Sequence, residues 1–559
     1  MKKKQFKLTD IRFEILAIVL ITIFCIAISP VSLQNDTFYT IKVGEHIVQN
    51  GIDMQDSFSW HEDLPYTYPH WAYDVCIYFI YALSGLKGIY ISTCVLSVIL
   101  GISIYKANSK LVKNKVISFF ITIGAMYLLE GYVAARAQLV TFILFAWEIY
   151  FIEKLLETKK KKYAVGLIIL PIIIANFHAA VWTFYFILFL PYIGEYIFAI
   201  LSDVVIYQKI RIKILNGKIK RLEDKKVDEE KLKAVKEELK NLEEKNERIK
   251  IKREEEKEHP YKIKINKNNN VKILIVVMII CAFTGLLTPQ TTFEPYTHIF
   301  KLMSGNTTQN INEHLPLTLI NHTDILCVII IFLAVLIFSD SKIRLNDLFM
   351  LGGLAFLMFF SRRQRSIFII VCSIILNRFL MQLMEKYFKG TIEKIQEILT
   401  TKVGMFVLAG IVIILSMYIY KPKIDEKYID ESSYPVSACD WILENLDINK
   451  MKIFNDYNYG SYMLYRGIPV FIDSRCDLYS PEFNSPTGKA EDGQDIFMDY
   501  IETSGLSKFY GDTFKEYGVT HLITMKNSKI NMIIKKADSE NYKKLYSDDK
   551  FVIYEVLNN

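Results

Sequence analysis

From Phe13 to Pro30 the chain is almost free of charge. Similar apolar runs recur at 88–105, 116–131, 137–153, 163–177, 180–201, 271–288, 323–339, 345–360, 366–383 and 403–420. These runs are close to the roughly 17–25 residues a helix needs to cross a bilayer, so the pattern predicts about eleven spans. The stretch 71–105 is too long for one crossing. Its first part, WAYDVCIYFIYAL (71–83), is rich in aromatic residues and suits a helix lying along the membrane surface. Two polar blocks interrupt the pattern. In 209–258, Leu232, Val235, Leu239, Leu242 and Ile249 form a short heptad seam with Asn246 inside it. Leu222 and Val227 fall out of phase, which predicts a helical hairpin bent near Asp224–Glu229. In 421–559 the periods are mixed. SACDWILENL reads as an amphipathic helix, and MKIFND, IPVFIDS and GVTHLITMK read as strands. YGSYMLYRG reads as a short helix or turn, and KKLYSDDKFVIYEV as a terminal hairpin.

Charge orients this pattern. Lys and Arg gather in cytoplasmic loops. Lys2, Lys3, Lys4 and Lys7 therefore place the N-terminus inside and the first loop, 31–87, outside. The lysines of KANSKLVKNK and KLLETKKKK then fall inside, as does the insert 202–270, and the tail 421–559 falls outside. SRRQRS (361–366) breaks the rule, because it puts three arginines at the outer end of the bundle; an anion site there would account for it. The expected architecture is an α-helical polytopic membrane protein. It has an N-terminal membrane region (1–201), a cytoplasmic hairpin insert (202–270), a second membrane region (271–420) and an extracytoplasmic α/β domain (421–559). The first apolar run, with Pro30 in the would-be cleavage region, reads as a retained helix rather than a signal peptide.

Composition changes little in this picture. Of the chain, 52% is hydrophobic, and the net charge of +7 is confined to short loops, so it reports topology and not nucleic acid. Six of the eight cysteines lie in or beside apolar runs; Cys439 and Cys476 lie in the polar tail, where a disulfide between them is open. No GxGxxG or GxxxxGK[ST] is present, so nucleotide binding is not expected.

Under this topology the ionisable residues near the spans collect at one level, the outer end of the bundle: Asp36, His70, Asp74, Glu130, Arg136, His178, Glu313, His314, Arg362, Arg363 and Arg365. Ionisable groups at a membrane are costly and mark function. Guanidinium forks suit phosphate, which a lipid carries at headgroup depth. A carboxylate beside them suits a general base toward a hydroxyl. The set therefore suits sugar transfer from a lipid phosphate. One of the carboxylates, Asp36 among them, would be the base, and Arg136, Arg362, Arg363 and Arg365 the phosphate ligands. His70, His178, Glu313 and His314 would position the substrates, and Asp56 and Asp74 are second acidic candidates. A divalent cation, Mg or Mn, is an option that no spacing demands. In the tail, Asp473, Arg475 and Asp477 follow an expected strand, where α/β sheets expose ligand contacts. Two other classes compete. A transporter or flippase for an anionic lipid or glycan would need polar residues along a path through the spans, and mid-span positions are largely apolar. A non-catalytic scaffold would recruit a cytoplasmic partner at 209–258.

Several segments resemble those of bacterial polytopic proteins related to the GT-C glycosyltransferases, which include mannosyl- and oligosaccharyltransferases. NDTFYTIKVGEHIVQNGIDMQDSFSW is similar to that group's first outer loop, and PHWAYDV to its H-E-W-L-x-E segment, with Asp74 in the second acidic place. ARAQLVTF resembles an R-P-Q opening of a span, with Ala137 in place of proline. ANFHAAVW resembles N-L-H-G-G without the glycines. LLTPQTTFEPY, INEHLPL, FFSRRQRS and NDYNYGSYMLYRGIPVFIDSRCDLY also look like group segments, whereas 202–270 has no counterpart. The resemblance implies a GT-C-like fold in a bacterial cell membrane and a polyprenyl-phosphate sugar donor. It also implies a glycan, lipid or protein acceptor outside, with Asp36 as the base.

Overall fold

The computed structural model describes residues 2–201, 204–224, 229–257, 263–289, 293–305, 307–339, 343–388, 390–486 and 490–557. Every apolar run becomes helical. Among the described residues, five helices are long and apolar enough to cross a membrane: Ile11–Ile28, Trp71–Val112, Ala179–Leu201, Arg362–Tyr387 and Lys402–Lys423. Shorter apolar helices occupy Lys115–Leu128, Val271–Leu287, Thr323–Phe338 and Leu345–Phe360. Lys402–Lys423 turns Phe406, Ile414 and Tyr418 outward, exposed. Apolar faces of this kind need a partner other than water, and a bilayer supplies one. The 42-residue helix Trp71–Val112 breaks at Gly85, whose φ of 60° is left-handed. Only glycine takes that conformation readily. The break separates the aromatic segment 71–83 from the apolar run that follows.

The bundle interior is not uniformly apolar. Glu148, expected within an apolar span, is fully buried, and neither carboxylate oxygen has a hydrogen-bond partner among the described residues. Asn377 donates to Asn108 Oδ1 (2.9 Å) and to Ser118 Oγ (3.0 Å). Near the end of the bundle that carries the charged insert, Glu153, Arg344, Asp347 and Arg378 form a closed ion network with bonds of 2.6–2.9 Å. The sequence pattern conceals these groups, because a single carboxylate barely lowers the apolarity of a long run.

The described residues of the insert form two helices, Val204–Asp224 and Glu229–Lys257. Leu215 and Ile219 pack on Val235. The ion pairs Arg211–Glu238 (2.7 Å) and Glu223–Lys236 (2.8 Å) join their flanks. Residues 225–228 of the expected bend, Val227 among them, lie outside the described residues.

The tail forms a four-stranded sheet: β1 (Ile453–Phe454), β2 (His521–Met525), β3 (Tyr542–Ser547) and β4 (Phe551–Val556), in the order β1-β2-β4-β3. β1 is parallel to β2, and the other pairs are antiparallel. IPVFIDS is not a strand of this sheet, contrary to the pattern. It is largely buried, and its backbone bonds lie outside the sheet. Asn455 Oδ1 accepts from Phe471 N (2.8 Å), and its Nδ2 donates to Ile472 O (2.7 Å). Trp60 N donates to Val470 O (3.2 Å). The segment thus pairs with the first loop.

That loop and the tail share one core, which corrects the assignment of 31–87 to the membrane region alone. Phe38, on helix Asn35–Asn50, is fully buried among the rings of Tyr434, Tyr462 and Tyr465 at 5.1–5.3 Å. The opposite face of the helix lies on Trp71–Val112. Gly44 makes this approach possible: a Cβ there would stand 2.1 Å from the Asp74 carbonyl oxygen. Gly44→Ala forces the helices apart and should cost on the order of 1–3 kcal/mol. Thermal unfolding of the detergent-solubilised protein would read this as a lower Tm. An unchanged Tm would mean that the two helices do not touch there.

Candidate functional site

Hydrogen bonds to the backbone join six distant segments in pairs around one space. Thr37 Oγ1 donates to Ala135 O (3.3 Å), holding helix Asn35–Asn50 against the turn before Arg136. Ala179 N donates to Pro69 O (2.8 Å), bringing the His178 turn to the residue before His70. Arg363 N donates to Glu313 O (3.0 Å), and Arg362 N to Leu315 O (3.0 Å), so INEHLPL runs beside SRRQRS. The space is a cavity of about 540 Å³ between the helical bundle and the tail. Asp36, His70, Arg136, His178, Glu313, His314 and Arg363 line it from the bundle side and its loops, and Arg475 and Asp477 from the tail. Asp56, Asp74, Asp473, Arg362 and Arg365 do not line it.

Arg136 is the hinge of the site. It opens helix Ala137–Thr158, and its guanidinium holds Asp36 Oδ2 at 2.6 Å and Glu313 Oε1 at 3.0 Å. Burial works against its charge, and the two carboxylates outweigh that and stabilise it. For Glu313, burial pushes the carboxyl up, but Arg136 and Arg363 pull it below its ordinary range. Arg136 is therefore committed to carboxylates, which corrects its expected role as a phosphate ligand. The other arginines divide. Arg365 is ion-paired to Asp324 and bonds Leu128 O. Arg362 Nε donates to Pro316 O (3.2 Å). Both are corrected from phosphate ligands to structural ties, and Asp324 explains how Arg365 is tolerated there. Arg363 alone of the three faces the cavity, and it has no carboxylate partner among the described residues.

His178 holds Arg363 in place. Arg363 Nη2 approaches His178 Nε2 at 3.4 Å, so that nitrogen accepts, and Nδ1 faces Thr141 Oγ1 at 3.0 Å. Burial, then Arg363, pushes the His178 pKa well below 6.5, so the ring is neutral. His314 is pushed down to about 4 by burial and by Arg363. His70 Nδ1 lies 2.9 Å from both oxygens of buried Asp74, and its Nε2 lies 3.1 Å from the Tyr39 hydroxyl. Asp74 thus acts through His70 and does not meet the cavity itself.

No family model matches the sequence, and no curated protein matches it. The chemistry is read from the geometry.

The tail candidates are rearranged. Arg475 is buried between Asp56 (Nη1–Oδ1 2.7 Å) and Asp473 (Nη2–Oδ2 2.7 Å, Nε–Oδ1 2.9 Å). Its guanidinium sits about 5 Å from the rings of Phe58 and Tyr66. Tyr479 donates to Asp473 (2.6 Å), and Ser59 N and Oγ donate to Asp56. Asp56 and Asp473 are wholly buried and form a latch between the first loop and the tail, not a ligand site. Cys439 and Cys476 are both free thiols.

Sequence reasoning missed a second histidine pair. His298 Nδ1 lies 2.7 Å from Glu294, and its Nε2 lies 3.4 Å from Asp477. Burial opposes its charge, but Glu294 and Asp477 outweigh that and raise its pKa above 6.5. The Glu-x-x-x-His spacing of FEPYTH was the available signal, since i and i+4 share a helix face. Among the described residues no group of three or more His, Cys, Asp or Glu side chains is close enough to hold a metal ion.

Proposed function

We propose that this protein is an integral-membrane glycosyltransferase. It moves a sugar from a polyprenyl-phosphate donor to a hydroxyl acceptor, on the side of the membrane away from the cytosol. The observation that carries this reading is the meeting, in one cavity, of a carboxylate and a guanidinium with no carboxylate at ion-pair distance among the described residues, contributed by residues more than three hundred positions apart, Asp36 and Arg363. The charge pattern of the loops and the resemblance to GT-C proteins support the same orientation.

The roles follow from the bonds. Arg136 holds one Asp36 oxygen, which fixes the carboxylate and leaves the other oxygen to take the acceptor proton. Arg363, oriented by neutral His178, carries the phosphate and stabilises the charge that gathers on it as the sugar departs. Glu313 completes the clamp on Arg136.

Reconstitution in liposomes with labelled polyprenyl-phosphate sugars tests the assignment. Arg363→Ala should raise the donor KM by about 10–100-fold, the worth of one charge-assisted hydrogen bond pair. Arg362→Ala should leave it nearly unchanged. Equal losses for both variants, or none for Arg363→Ala, would remove Arg363 from the phosphate site.

A further inference from the structure

The base and the phosphate ligand leave one chemical need unmet. The donor's anomeric C–O bond breaks onto a phosphate oxygen, and that oxygen gains charge which a proton would neutralise. Tyr39 lies three residues after Asp36 on helix Asn35–Asn50, and i and i+3 share a face. Its ring lines the same cavity as Asp36 and Arg363. It also lines a second cavity of about 60 Å³ beside them, shared with His70 and Tyr73 and large enough for water. Behind its hydroxyl stand His70 Nε2 at 3.1 Å and, on the far side of that ring, both oxygens of Asp74 at 2.9 Å from Nδ1.

We infer that Tyr39, His70 and Asp74 form the proton-donating arm of this site, with the Tyr39 hydroxyl protonating the departing phosphate oxygen. The inference rests on the glycosyl-transfer reading for its substrate. Both Asp74 oxygens face Nδ1, which favours a proton there and leaves Nε2 as the atom that exchanges one. A phenol alone is too weak an acid for this step. An imidazolium is a far stronger acid than a phenol. The relay joins the two.

The step balances as follows. The acceptor oxygen bonds the anomeric carbon and gives its proton to Asp36. The C–O bond to phosphate breaks with its electron pair on the phosphate oxygen. That oxygen takes the Tyr39 proton, and Tyr39 takes the Nε2 proton of His70, while the Nδ1 proton stays on the His70 ring, hydrogen-bonded to Asp74. Proton exchange with water in the cavity resets Asp36 and His70. Tyr39 is then the catalytic residue of the arm, and His70 and Asp74 are positioning residues.

The test uses full-length protein in nanodiscs, labelled with 15N-histidine, with the His70 signal assigned from His70→Gln. Titration with inorganic phosphate should move the His70 Nε2 signal in the wild type and leave it still in Tyr39→Phe. In transfer assays Tyr39→Phe should lower kcat by about 10²-fold or more. A series of fluorinated tyrosines at position 39 should change kcat in the order of their acidity, which a merely structural ring would not do. Transfer by the wild type with kcat preserved in Tyr39→Phe would overturn the relay and leave the transferase reading standing. A His70 signal that responds to phosphate through Tyr39, in a protein that turns over no polyprenyl-phosphate donor, would leave the relay standing and overturn the transferase reading. A His70 signal indifferent to phosphate, or moved equally in Tyr39→Phe, would also overturn the relay.

Discussion

Arg475→Met should detach the first loop from the tail and lower the Tm of the tail by on the order of 10 °C. The substitution keeps much of the volume and removes the charge, leaving Asp56 and Asp473 wholly buried without a counter-ion. Breaking a buried pair in this way costs about 3–5 kcal/mol, and in a domain of this size each kcal/mol is worth about 2–4 °C. Arg475→Lys should recover only part, because a single ammonium cannot reproduce three fork bonds to two carboxylates. Adding Asp56→Asn and Asp473→Asn to Arg475→Met should restore stability beyond the sum of the single effects, since the unpaired charges disappear with their partner. Thermal unfolding followed by tail fluorescence checks each variant. Independent, additive effects would show that the latch does not exist. The pH dependence has a fixed sign. Burial pushes Asp56 up, but Arg475 and Ser59 hold it below its ordinary 3.8. Its contribution is therefore complete above that value and lost only as pH falls through the lower, folded one.

Asp36→Asn should lower kcat by about 10²–10⁴-fold, the usual range for loss of a general base. Asparagine keeps the shape and the helix position but cannot take a proton. The donor KM should change far less, because Arg363 is untouched, and the Tm should hold, because Arg136 keeps Glu313. Turnover near the wild-type rate would remove Asp36 from the mechanism and leave Arg136 as a structural tie only.

Much of this architecture was legible in the chain, and the reason is periodicity. A run of apolar residues declares a helix whatever it packs against, so each predicted run became helical and GVTHLITMK became β2. Gly85 stands between an aromatic segment and an apolar one, so the break there was also readable. Partners were harder to read. Arg475 and Asp56 are separated by 419 positions, and nothing in either neighbourhood announces the other. IPVFIDS has the composition of a strand, but Asn455 and the first loop satisfy its backbone before any sheet can. The convergence of Asp36, Arg136, Glu313 and Arg363 was an expectation of the charge pattern along the chain. Which arginine remained free did not, because that depends on where Asp324 and Glu313 point. Nothing in the sequence around Tyr39 announces the His70 ring against its hydroxyl.

The central claim is that one cavity joins the Asp36 carboxylate to a phosphate held by Arg363. The most direct test is a structure of the full-length protein in a lipid nanodisc with a polyprenyl phosphate bound. The account predicts phosphate oxygens within about 3 Å of the Arg363 guanidinium, in the same cavity as Asp36. Phosphate bound at Arg362 or Arg365, or in a space that does not open onto Asp36, would contradict it.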